Sequence, residues 1–171
     1  MNMTYQTLRQ IVDETLDGTL NEQECYRRLA YHITQKLGSR RASIWYFQDE
    51  EIALSHILYD TVTLAYSSGY ILRKQESKDF FVTLRCGHMV SMPNVRTHYL
   101  ATSVSNTVLI QSDSTSLFAT PIIYRSKSVG FVCSEHSGNQ ESNLRYSEIS
   151  YLDTVVSLVT HLLFNLHQRK Y

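Results

Sequence analysis

The sequence predicts an α+β domain, one antiparallel sheet with the helices of both chain ends packed on one of its faces. Three observations carry this. Two pairs of aromatic and β-branched segments, 42–47 with 52–59 and 116–124 with 129–136, are each joined by a short polar stretch, which is the pattern of hairpins and not of parallel crossovers. Apolar residues at helical spacing occupy both ends of the chain. Finally, 171 residues with 43% hydrophobic and 19% charged residues, two Pro and six Gly are enough for one core and too few for two. The whole chain, 1–171, therefore reads as a single domain, with N-terminal helices in 1–38, sheet and covering segments in 42–136 and a C-terminal helix in 147–168.

Tyr5, Leu8, Val12 and Leu16 form the stripe of a first helix that stops at Gly18. A second follows at once: Asn21 is placed to accept from the Glu24 backbone, Glu24 to reach back, and Leu20 to staple onto Cys25. Leu29, Ile33 and Leu37 continue its stripe to Gly38. Residues 42–47 and 52–59 then alternate as strands around Gln48-Asp49-Glu50-Glu51. Residues 60–75 are turn-like, with a short strand or loop around Tyr66-Ser67-Ser68-Gly69-Tyr70. Residues 76–85 have helical spacing in Phe80, Phe81 and Leu84 and end at Cys86-Gly87. Met89–Met92 reads as a brief strand before Pro93-Asn94, and 95–114 suits a short helix over the sheet. In the second hairpin Pro121 marks a bulge or an unpaired backbone position, and Gly130 permits the close approach of another backbone. The last helix carries two adjacent stripes, Ile149-Leu152-Val156-Val159-Leu163-Leu166 and Tyr151-Val155-Leu158-Leu162. This apolar arc is wider than one packed face needs.

Sixteen Lys+Arg balance sixteen Asp+Glu. The chain lacks the positive surplus that tracking phosphates requires, so nucleic acid is not an expected partner. No run approaches the roughly 18 apolar residues of a membrane span, and no signal-peptide pattern is present, so a cytoplasmic protein without membrane insertion is expected. Cys25, Cys86 and Cys133 are widely spaced with no C-x-x-C, which fits a reducing compartment. The seven histidines contain no H-E-x-x-H and no i,i+4 pair, so no metal site is expected. Gly-rich phosphate loops and G-x-S-x-G are also missing.

Two blocks resemble a known family. The first is Lys78-Asp79-Phe80-Phe81-Val82-Thr83-Leu84-Arg85-Cys86-Gly87-His88-Met89-Val90, continuing into Asn94-Val95-Arg96-Thr97-His98. The second is Ser116–Ile123 followed by Val129-Gly130-Phe131-Val132-Cys133-Ser134-Glu135-His136. Together with the order of elements, they resemble the GAF domain, and the second block is similar to the GAF hairpin of bacterial sensor histidine kinases and GGDEF-type cyclases. The resemblance covers nearly the whole chain. It implies a non-catalytic sensory or regulatory module of two-component or cyclic-di-GMP signalling that binds an unidentified small molecule and forms a homodimer through its terminal helices. An output domain would follow the last helix, which reaches Arg169-Lys170-Tyr171 without a capping stop.

The candidate pocket comprises Trp45, Phe47, Phe81, Phe118, Thr120, Cys133 and His136, because ligand pockets are mostly apolar with a few polar anchors. Alternation sets Trp45 and Phe47 opposite Ile44 and Tyr46, and Phe118 and Thr120 opposite Leu117 and Ala119, but leaves open which face meets the helices. Glu135-His136 serves either a ligand's polar group or the turn that follows it. Tyr151, Val155, Leu158 and Leu162 are the expected dimer contact, with the other stripe as the alternative. Two other functions compete. A redox enzyme of the free methionine-(R)-sulfoxide reductase type needs clustered thiols, and a purely structural dimerisation module needs only a filled core. The cofactor is unknown; a bilin is not expected, since Cys86-Gly87-His88 lies at a different place in the pattern from the attachment cysteine of bilin-binding members.

Overall fold

The computed structural model describes residues 3–138 and 143–168. Residues 139–142 and the terminal 169–171, where the sequence shows no capping stop, lie outside the described residues. Helices α1 (Met3–Leu16) and α2 (Glu22–Leu37) precede strands β1 (Arg41–Phe47), β2 (Ile52–Asp60), β3 (Ala65–Ser67) and β4 (Ile71–Arg73). Next come α3 (Lys78–Arg85), β5 (Val90–Met92), β6 (Ser114–Tyr124), β7 (Lys127–Ser137) and α4 (Tyr146–Gln168). All the strands join one antiparallel sheet in the order β3-β2-β1-β7-β6-β5, with β4 also on β2.

The local signals hold where they are strongest. Asn21 Oδ1 accepts from the Glu24 amide at 2.8 Å, and Gly38 closes α2 in the left-handed region at φ 62°. Leu20 and Cys25 are buried in one cluster, but the Glu24 carboxylate turns outward to Arg28 at 3.3 Å and does not reach back. The β6–β7 connection is a two-residue turn, Arg125-Ser126, with positive φ at both positions, the geometry that suits the right-handed twist of flanking strands. Pro121 lies beyond the part of β6 that pairs with β5, Leu117–Ala119, and one residue before a register shift at Ile122/Ile123.

One element differs. Residues 95–113 do not form a helix beyond a 3-10 turn at Ala101–Ser103. The cause is side-chain competition: Ser103 donates to the Leu100 carbonyl and Thr107 to the Val104 carbonyl, both at 2.7 Å, offering the backbone an alternative to a helical ladder. The segment still buries Val95, Leu100, Ala101, Val104 and Leu109 against the sheet.

Both faces of the sheet are covered, so there are two cores. On one face α1, α2 and α4 bury Ala42, Ile44, Ile57, Ile122 and Val132. On the other, α3 and the 95–113 segment bury Trp45, Ala53, Leu117, Ala119, Phe131 and Cys133. In α4 the two apolar stripes merge into a single buried arc. Tyr151, Leu152, Val155, Leu158, Val159 and Leu162 are all buried within the chain, and Tyr151 Oη meets His32 Nδ1 at 2.8 Å. By length and composition α4 could cross a membrane, contrary to the sequence-based expectation, but that arc is packed against α1, α2 and the sheet.

Candidate functional site

The seven expected pocket residues do not meet. Trp45, Phe47, Phe81 and Cys133 lie on the α3 face. Phe118, Thr120 and His136 lie on the opposite face, because β6 and β7 pair Thr120 with Val132, Phe118 with Ser134 and Ser116 with His136 in the parity that points to α2 and α4. His136 Nε2 sits 3.1 Å from the Leu37 carbonyl at the end of α2, and its ring meets Phe118 edge-on at 5.9 Å. The candidate pocket is corrected accordingly: no single cavity can be lined by all seven, because alternation within one hairpin separates them by the thickness of the sheet.

The α3 face is filled by its own side chains. Trp45 stacks on Phe131 at 5.6 Å with 7° between planes, Phe80 meets Phe131 edge-on, and Phe47 meets Phe81 at 4.9 Å. Trp45 donates its Nε1–H to Ser43 Oγ at 2.8 Å, so the indole is satisfied without a ligand.

Beside this aromatic core lies a buried ion pair. Arg41 on β1 and Glu135 on β7 are opposite each other in register and bonded through their side chains. Glu135 also accepts from the Ser114 hydroxyl, and Arg41 donates to the Leu109 carbonyl at 3.3 Å. Ser114 Oγ in turn accepts from the Gln111 amide at 2.7 Å. Outside it, Arg40 pairs with Asp113 and with Asp60. Burial pushes the Glu135 carboxyl up, with Arg41 and Ser114 opposing. The sequence suggests Glu135-His136 as a unit, but the two point to opposite faces: Glu135 ties down the end of the 95–113 segment, and His136 ties down α2.

The thiols are dispersed. Cys25 is in the α2 core, Cys133 is on the opposite sheet face and Cys86 is exposed at the end of α3. Burial, with Glu135 adding to it, pushes the Cys133 thiol up to about 12, and burial also raises Cys25. Low-pKa, neighbouring thiols are what thiol redox catalysis requires. This arrangement supplies neither at the buried positions.

An open site does exist, at a place that no local pattern of residues marks. A cleft of about 480 Å³ runs between the end of α3, the β1–β2 turn and the β6–β7 turn. Phe81 forms part of its wall, and Lys74, Arg85, Cys86, Lys127 and Glu50 surround the mouth. Arg85 lies over the Phe47 ring at 4.8 Å, donates to the Ser128 carbonyl at 3.0 Å and pairs with Glu50; Lys74 pairs with Glu51 at 2.8 Å. Of the expected pocket residues only Phe81 lines it. Its cations come from three separate segments, so no local spacing in the sequence could signal them.

No family model matches the chain, and no curated protein matches it either. Solved structures do. The phycoerythrobilin-bound GAF domain of a cyanobacterial phytochrome aligns over 100% of both chains with a TM-score of 0.79 at 12% identity. The GAF domain of an Acinetobacter phosphoenolpyruvate-protein phosphotransferase aligns over 98% of this chain and 96% of its own, with a TM-score of 0.73 at 16% identity. The corresponding domain from Coxiella burnetii aligns over 98% and 94%, with a TM-score of 0.70 at 13% identity. Alignment over nearly the whole of both chains at TM-scores of 0.70 to 0.79, at identities too low to carry function, establishes that this chain has the GAF fold.

Proposed function

We propose that the chain is a non-catalytic sensory or regulatory module that binds a small molecule in the cleft beside α3. The observation that carries this reading is the cleft itself, open to solvent, with Phe81 in its wall and Lys74, Arg85 and Lys127 at its mouth. Such a site suits a small molecule with an apolar body and an anionic end, since apolar walls supply binding energy and a few charged groups fix orientation. Whole-chain likeness to GAF domains of regulatory proteins supports the sensory role, and a place in two-component or cyclic-di-GMP signalling is its finer form. A panel of small aromatic carboxylates and phosphates tests the reading by melting. A binder at a hundred times its Kd stabilises by about 2.7 kcal/mol, which for a domain of this size raises Tm by roughly 5–10 °C. Arg85→Ala should abolish that shift, and a shift retained in Arg85→Ala places the binding elsewhere.

A second reading, a structural dimerisation module, is favoured by the filled α3-face core. Copies would pair through α4, but not by the residues the sequence suggests. Tyr151, Val155, Leu158 and Leu162 are buried within their own chain, so the contact moves to the outer strip of half-buried Ile149, Val156 and Leu163 with Phe164, 45% exposed. Val156→Glu with Leu163→Glu should separate copies joined there, as read by sedimentation, and should also lower the melting temperature, because both side chains pack in part against the chain's own helical core. An unchanged mass excludes this strip as the contact.

A further inference from the structure

A second cavity, of about 470 Å³, lies where α1, α2 and β3 meet. It shares no lining residue with the cleft beside α3. Ile11 and Glu14 of α1, Arg28, Tyr31 and His32 of α2 and Tyr66 of β3 form its walls, and its volume falls in the range of small-molecule sites.

Two of the walls are aromatic and fixed. Tyr66 stacks on Tyr59 at 4.5 Å beneath the Arg27 guanidinium, which lies 5.6 Å from its ring, and Tyr31 leans on the same Tyr59 at 5.7 Å. Tyr59 is buried and holds both rings from behind, while Tyr31 and Tyr66 remain 47% and 38% exposed. Rings fixed in advance lose little side-chain freedom to a stacked ligand.

The polar groups are neutral in sum. Glu14 and Arg28, the charged residues of the wall, pair with each other at 3.3 Å, and Glu14 also accepts from the Gln10 amide at 2.8 Å. An ion therefore finds no unmatched counter-charge here, in contrast to the three cations at the mouth of the cleft. The remaining anchor is His32. Its Nδ1 lies 2.8 Å from Tyr151 Oη, and burial raises that phenol, so the phenol keeps its proton and donates it to Nδ1. Burial, and after it the Lys36 ammonium, lowers the imidazole, which stays neutral with its own proton on Nε2. One N–H donor is what the ring has left to offer.

We propose that this cavity binds an uncharged, planar heteroaromatic molecule, lying against the Tyr31 and Tyr66 rings with one acceptor atom on His32 Nε2–H. Each part of the wall excludes an alternative. The cancelled charges disfavour an ion, the tyrosine faces favour a flat ring over an aliphatic body, and the His32 donor favours a ring that accepts over one that only donates. Because His32 is bonded to Tyr151, a ligand that fixes the Nε2–H tautomer also holds α2 to α4, so occupancy here reaches the last helix.

The full chain is titrated with caffeine and with nicotinamide, and its tyrosine and histidine ring resonances are followed by NMR. Indole, a planar ring that only donates, and benzoate, an anion, are the comparisons. The Tyr66 and His32 resonances should move with caffeine or nicotinamide at concentrations where indole and benzoate leave them in place, equally in the wild type and in Arg85→Ala. Tyr31→Ala, and Thr7→Trp, which fills the cavity from its exposed rim, should each weaken binding by about tenfold or more. The proposal is overturned if neither heteroaromatic moves these resonances up to its solubility, if the response disappears in Arg85→Ala, or if indole or benzoate moves them at the same concentration. Should Thr7→Trp not fold, Tyr31→Ala, whose ring is half exposed, decides. The reading of the cleft beside α3 stands or falls separately, on the melting response of Arg85→Ala.

Discussion

Gly130→Ala is expected to cost more than about 3 kcal/mol, a loss in the range reserved for backbone or core disruption. Gly130 sits in β7 between Tyr46 of β1 and Ile122 of β6, and a Cβ there would lie 2.1 Å from the Trp45 carbonyl oxygen and 3.0 Å from Tyr46 Cα. These are backbone atoms in the middle of the sheet, so no rotamer change relieves the clash. β1 and β7 must separate, which breaks their ladder and disturbs the Trp45–Phe131 stack. For a domain of this size the fall in Tm is about 10 °C. Gly69 provides the comparison: nothing lies within 4 Å of its added Cβ, and its φ of 80° alone sets the cost of Gly69→Ala at about 1–2 kcal/mol. Equal melting temperatures for the two variants would show that the strands can part cheaply.

Arg41→Met is expected to cost about 3–5 kcal/mol at neutral pH, because it leaves the Glu135 carboxylate buried without its cation. The loss depends on pH with a definite sign. Burial already raises the Glu135 carboxyl, and removing Arg41 takes away the largest opposing influence, so the folded-state pKa rises further above the unfolded one. Stability then is full below the ordinary carboxyl range and is lost as pH rises through the folded-state value. Urea melts of Arg41→Met should show the defect shrinking from pH 8 towards about pH 5, near the ordinary carboxyl range. Arg41→Met with Glu135→Leu should recover most of the stability, since replacing a whole buried pair with apolar groups is often neutral or better. Ser114 keeps the Gln111 amide as a partner in that variant. A defect independent of pH would mean that Arg41 acts through packing alone.

Adjacent residues carried what could be read without the structure. The Asn21 cap, the Gly38 stop and the two hairpins depend on groups a few positions apart, and they stand within a residue or two of where the spacing puts them. Gly130 was legible too, because a glycine inside an apolar strand has few uses other than close approach. The site was less legible. Arg41 and Glu135 are 94 residues apart, and the cleft cations Lys74, Arg85 and Lys127 sit on three elements whose meeting depends on sheet order.

The assignment of faces shows where the sequence stops. Alternation in 42–47 and 116–124 determined that Trp45 and Phe47 oppose Ile44 and Tyr46, and that Phe118 and Thr120 oppose Leu117 and Ala119. It did not determine that Phe118 belongs with Ile44, nor Trp45 with Leu117. In a sheet solvated on one side, polarity identifies the inner face. Here helices cover one face and α3 with the 95–113 segment covers the other, so both sets of side chains are apolar and composition is the same either way. Only the tertiary packing decides, because the choice rests on which covering element fits which surface, and that is a property of residues far apart in the chain.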